Sequence, residues 1–188
     1  MDAIDAIQRR TSVRRYRPDP VSRDTIERLL DCAVRAPNHK LTEPWRFAVL
    51  TGGAKARLAD IRAAHRLQKY DDPTSDEARA RADKARRETL ESPVVIVIMA
   101  RTSRDAITRE EDYAAVMMAT GNLMTAAQSL GLGTYLKTGG VMDHPSLAEL
   151  VGLPDGYRVV GVMSVGYPVE AETPRRRRPA GELTSWLE

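Results

Sequence analysis

A chain of 188 residues with 42% hydrophobic and 29% charged side chains can bury one sizeable core and is too apolar to be disordered or fibrous. The net charge is only +3, with the basic excess held in two clusters at 9–17 and 175–178, so charge gives no argument for a nucleic-acid protein. No apolar run reaches the roughly 18 residues of a membrane helix, MDAIDAIQRR lacks the basic-then-apolar order of a signal peptide, and the lone Cys32 leaves no internal disulfide. The expectation is one cytoplasmic domain over 1–188, with neither membrane nor nucleic acid as partner.

Residues 2–10 read as a short amphipathic helix that delivers RRTSVRRYR, a stretch with five arginines and two aliphatic hydroxyls in nine residues. Pro18 and Pro20 punctuate, and Ser22 can cap a second helix whose Ile26, Leu29, Leu30, Ala33 and Val34 form an apolar stripe. The loop APNHKLTEPW follows, then a strand at 45–50, a glycine turn, and a helix over 54–67. Residues 68–92 are highly charged and predict a mobile, partly helical excursion, with 66–92 as a candidate lid. The run PVVIVIMA (93–100) predicts a strand buried on both faces. Residues 110–131 predict the longest helix, apolar nearly all round and so central or at a subunit interface. GTYLKTGG (133–140) predicts a strand ending in a glycine turn, 145–152 a short helix, and 157–168 the last strand. The tail, 169–188, has no period yet ends in Leu183, Trp186 and Leu187, which predicts packing, with a second subunit as one candidate surface. The order predicts one sheet with helices on both sides.

Several chemistries are missing. GLGT (131–134) has leucine where the third glycine of a dinucleotide fingerprint would stand, and it follows a helix rather than a strand. There is no phosphate-binding GxxxxGK[ST], no GxSxG elbow, and no metal-ligand spacing among His39, His65, His144 and Cys32. Asp143 beside His144 reads as a helix start. Trp45 and Tyr135 read as core or interface residues rather than substrate platforms. Any enzyme chemistry is therefore expected to belong to a cofactor. What is present is Arg10-Thr11-Ser12-x-Arg14. Extended backbone there sends Arg10, Ser12 and Arg14 to one side, a set of charge-assisted donors suited to an anion. The same stretch also reads as a solvated charge run, and on residues alone both readings stand.

The order helix–RRTSVRRY–helix–RAPNHKLTEPWRFAVL, followed by YAAVMMATGNLMTAAQSLGLGTYLKTGG and VVGVMSVGYP with a basic tail, resembles the FMN-dependent nitroreductase family, in particular its compact NAD(P)H-dependent subgroup. The resemblance spans nearly the whole chain and is weakest over 66–92. It implies an α+β sandwich with a central mixed β-sheet flanked by helices, and a C-terminal extension (169–188) lying on the partner subunit. It implies a homodimer with FMN at the interface and ping-pong hydride transfer from NADH or NADPH to a small acceptor, a nitroaromatic or quinone. Carried over by position, Arg10, Thr11 and Ser12 hold the phosphate and ribityl chain, and Arg14 reaches the pyrimidine edge. Arg35 and His39 match contacts supplied by the other subunit. Leu136, Lys137, Thr138 and Gly139 pass the ring, and Arg175 and Arg177 reach the phosphate. Leu41 and Glu43 depart from the family's asparagine and glutamine; His39 could replace the first, and Glu43 could form a salt bridge or cap. The alternatives are a specialised flavin-binding member, flavin-fragmenting or reductively dehalogenating, and a cofactor-free basic interaction module.

Overall fold

A strand as continuously apolar as Val94–Arg101 has to lie in the middle of a sheet with both faces covered, and the computed structural model, which describes residues 1–170 and 173–187, places it there. Four strands, β1 (Trp45–Leu50), β2 (Val94–Arg101), β3 (Gly133–Lys137) and β4 (Tyr157–Gly166), form one sheet in the order β1-β2-β4-β3. All three pairings are antiparallel, where a mixed sheet was expected. The parallel contact among the described residues is a single bridge, Ser12 to Thr134, at which the N-terminal segment runs beside the edge strand β3. The fold is α+β.

Alternation along β2 divides the core in two. Val94, Ile96, Ile98 and Ala100 face helices α2 (Arg23–Ala33) and α5 (Ala106–Ser129), joining Leu29, Val116 and Leu123. Val95, Val97 and Met99 face the other way, onto Leu58 of α3 (Gly52–Leu67) and Leu147 of α6 (Pro145–Val151). Each fully buried leucine or isoleucine contributes about 1.5–3 kcal/mol relative to exposure. Trp45 is core, 5% exposed.

Helix α1 (Ala3–Arg9) is capped by Asp2, whose side chain accepts from the Asp5 N–H, and α2 by Ser22, which accepts from Thr25. In the charged stretch 68–92, Ser75 caps a full helix, α4 (Asp76–Leu90). Its buried side is made of Ala78, Ala82, Ala85 and Thr89, small residues at helical spacing that bring it close against α3. The hairpin is tied by Arg86 Nε to Asp60 Oδ1 at 2.7 Å, and by Lys55 Nζ, which donates to the Leu90 and Ser92 carbonyls at 3.1 and 2.7 Å. No helix among the described residues is long and apolar enough to cross a membrane.

Candidate functional site

The end of β3 and the α3–α4 hairpin enclose a cavity of about 780 Å³. Its floor is Tyr135 to Val141, the last residues of β3 and the turn beyond it. Its walls come from one face of α3 (Arg62, His65, Arg66) with Lys69 in the turn just beyond it, and from one face of α4 (Arg81, Lys84, Glu88), with Arg14 closing the side nearest the N-terminus. The floor can come so near the wall at His65 because Gly140 lacks a side chain. A Cβ on Gly140 would stand 3.1 Å from His65 Nε2, whereas one on Gly139 would meet nothing.

The cavity is strongly cationic. Seven lysine and arginine side chains line it against one carboxylate, Glu88. Arg14 Cζ and Lys137 Nζ stand 5.0 and 5.1 Å from the centre of the Tyr135 ring, a favourable use of its π face. Lys137 Nζ lies 3.5 Å from Glu88 Oε2, yet its pKa is lowered to about 8, first by burial and then by the Arg62 charge, against the pull of Glu88. Arg62 is fixed by bonds to Thr89 Oγ1 and the Ala85 carbonyl, and burial pulls its pKa down as well. His65 is held below the usual histidine range, by burial first and by Lys69 second. Its Nε2 is buried with no hydrogen-bond partner among the described residues. A bare glycine backbone beside a ring of cations suits an anionic ligand that comes close to the main chain.

Five of the residues singled out in the sequence meet here: Arg14, Leu136, Lys137, Thr138 and Gly139. Arg10, Thr11 and Ser12 do not line the cavity but lead into Arg14. The segment is pinned where the Val13 N–H donates to the Thr134 carbonyl at 3.0 Å and Val13 packs on Gly133. Val13 is buried while Ser12 and Arg14 are exposed; the alternation then stops, because Arg15 is exposed as well and pairs with Glu170. Tyr16 anchors the far end, its hydroxyl donating to the Val13 carbonyl at 2.6 Å.

Arg35 and His39 do not line the cavity of their own chain. His39 sits on the 38–44 loop, 3.9 Å from Glu111 on α5, and both are exposed. That loop is strained: Lys40, Leu41 and Glu43 all have φ between 43 and 53°, at a cost on the order of 1 kcal/mol each. Two anchors hold it. Asn38 Oδ1 accepts from the Glu43 N–H, and Thr42 Oγ1 donates to Asp112, which is buried and also takes Arg101 Nε and Nη2 at 3.0 and 2.9 Å. The Glu43 carboxylate makes no ion pair among the described residues of its own chain. Arg175 and Arg177 are exposed, as are Leu183, Trp186 and Leu187 of the same tail.

Sequence reasoning missed the hairpin residues and Asp112; Tyr135, expected in the core or at an interface, lines the cavity. A signal existed. Arg62, His65, Arg66 and Lys69 recur at helical spacing with no carboxylate four residues away to pair them, which is unusual for a merely solvated face.

Comparison with known proteins adds identity to the geometry. The family model described as the Nitroreductase family matches residues 7–167. YfhC of Bacillus subtilis, classed by name with the NAD(P)H nitroreductases, is 29% identical over 176 residues, 93% of this chain and 89% of that one. The crystal structure of a nitroreductase-like family protein from Bacillus cereus superposes with a TM-score of 0.84 at 31% identity, covering 100% and 97% of the two chains. That of NfnB from sphigopyxis sp. strain HMH, an FMN and NADPH-dependent nitroreductase, gives 0.81 at 20% identity over both full chains and so speaks to the fold.

Proposed function

The chain belongs to the nitroreductase family, and from that premise we propose that it is a homodimeric, FMN-dependent NAD(P)H oxidoreductase acting on small electron-poor acceptors such as nitroaromatics or quinones. The observation that carries this reading is the corner of the cavity at the end of β3, where Arg14 and Lys137 flank the Tyr135 ring above a glycine floor. Those features fit a flavin nucleotide, which combines an anionic phosphate with a flat ring rich in hydrogen-bonding atoms. Bound there, FMN supplies the hydride-accepting and hydride-donating chemistry, which accounts for the lack of a recognisable acid, base or nucleophile in the sequence.

The chain's own contribution is binding and electrostatics. Arg10, Thr11 and Ser12 provide donors beside the cavity, while Arg14 and Lys137 favour negative charge on whatever lies against Tyr135. Leu136, Thr138 and Gly139 shape a floor on which two flat reactants stack in turn, positioning them without covalent participation. Arg35, His39, Arg175 and Arg177 have no role in their own chain's cavity, consistent with service to the site of a second copy. The exposed apolar residues of α1 and α5 and of the tail support the same assembly: Ile4, Ile7, Ile107, Met118, Leu183 and Trp186 are all solvent-facing in the single chain.

The test is anaerobic. Protein supplied with FMN should turn yellow, bleach with NADH or NADPH, and regain colour when a nitroaromatic or quinone is added, with parallel-line initial-rate patterns. Failure to take up FMN, or colour that neither nucleotide bleaches, would overturn the proposal.

A further inference from the structure

The walls of the cavity carry more positive charge than one flavin phosphate can offset. Seven cations face a single carboxylate, and a phosphomonoester brings close to two negative charges. Arg66, Lys69 and Lys84 pair with no carboxylate among the described residues, and Arg81 reaches only Glu77 on its own helix, at 3.8 Å. The basic faces of α3 and α4 therefore oppose one another across a concavity, an arrangement that self-repels unless an anion sits between them. These four residues belong to the hairpin, beyond the Arg14–Tyr135–Lys137 corner where the cavity is lined by β3 and the N-terminal segment.

We propose that the α3–α4 hairpin is the recognition site for the phosphorylated adenosine half of the hydride donor, with Arg66 and Lys84 selecting for a ribose 2′-phosphate, so that the protein prefers NADPH to NADH. The inference rests on the flavin-and-nicotinamide reading above. Charge accounting favours it: the cavity keeps six net positive charges without Arg10, which serves the flavin phosphate from outside it, and a pyrophosphate of about two charges with a 2′-phosphate of close to two offsets most of them. Lysine and arginine on facing helices converge on a phosphate from different directions, which suits an unhindered monoester at the end of a long ligand. Both chosen side chains are exposed and make no ion pair among the described residues, so removing them should leave the fold intact.

The experiment is calorimetric binding of adenosine 2′,5′-bisphosphate and of 5′-AMP to the FMN-supplied full chain, before and after the paired substitution Arg66→Ala and Lys84→Ala. The bisphosphate should bind roughly 10-fold or more tightly than the monophosphate, as one charged contact implies. The paired variant should lose that discrimination, and salt near 0.3 M should reduce it in the unsubstituted protein. FMN affinity should be the same in both. Equal binding of the two nucleotides overturns the inference, and so does discrimination that survives the paired substitution. A matching loss of FMN affinity also overturns it, because the wall would then serve the flavin. Colourless protein that still discriminates would instead defeat the flavin reading and sustain the 2′-phosphate site.

Discussion

At the scale of single residues, five arginines in one short segment do unequal work. Arg15 is spent on an exposed pair with Glu170, both side chains about 70% exposed (69% and 72%), and such pairs contribute little. Arg10 closes α1, its N–H donating to the Ala6 carbonyl, and leads into the segment that Val13 pins to β3. Arg10→Ala is therefore expected to weaken FMN affinity by about tenfold or more, as loss of a charge-assisted phosphate contact does, while Arg15→Ala changes it by less than about twofold. Fluorescence titration of FMN decides the matter, and equal losses would refute the assignment. Lys137 offers a pH test. Its folded pKa, about 8, lies below its ordinary 10.5, so the folded chain binds fewer protons than the unfolded one between those values. Its contribution to stability rises with pH across that window, from about 8 to 10.5, and is absent below it. An anion bound beside Lys137 raises the pKa again. At pH 8, FMN binding should therefore take up a fraction of a proton, roughly half at most. Calorimetry in two buffers of different ionisation enthalpy measures this, and Lys137→Met should abolish it.

At the scale of elements, α4 shows what a sequence hides. Its helical stripe is Ala78, Ala82, Ala85 and Thr89, too small to stand out among so many charges, so the stretch looked like an excursion. In the fold the smallness is what allows the close approach to α3. Ala82→Leu, 5% exposed at present, should destabilise by about 1–3 kcal/mol through overpacking, and should open the cavity wall; denaturant unfolding and FMN affinity report the two effects. Strands were plain by contrast: WRFAVL and the unbroken Val94–Arg101 run stand out because apolar β-branched residues with turn signals on both sides admit few other readings. So was the segment at Arg14, through its hydroxyl-and-arginine spacing. The cation-lined hairpin and the Thr42–Asp112–Arg101 anchor were not, because both depend on residues 11 to 70 positions apart or on separate helices meeting. Gly133 belongs to the same class. Nothing local marks it out from Gly131, yet a Cβ there would lie 2.5 Å from a Val13 methyl. Gly133→Ala should push the N-terminal segment off β3 and weaken FMN binding together with stability.

At the scale of the molecule, the single chain leaves unfinished surfaces that all point outward. Along α5 the solvent-facing positions Ile107, Ala114, Met118 and Gly121 fall on one stripe, flanked by Ile4 and Ile7 of α1. A helix that is apolar on its inner face for the core and apolar again on its outer face needs a second partner. The strained 38–44 loop, with Leu41 82% exposed at its tip, and the tail ending in Trp186 and Leu187 are further surfaces without cover in one chain. The proposed twofold dimer would satisfy them reciprocally, because each patch would then be both donor and acceptor of the same contact. Light scattering should find twice the chain mass. Met118→Arg, placing a charge in the centre of the stripe, should shift the protein toward monomer at micromolar concentration, since a buried unpaired charge costs several kcal/mol. The decisive readout is FMN, not mass. If Arg35, His39 and the tail arginines serve the other copy's cavity, the monomeric variant should lose FMN although every residue lining its own cavity is intact; a monomer that retains the flavin would show that each chain carries a complete site.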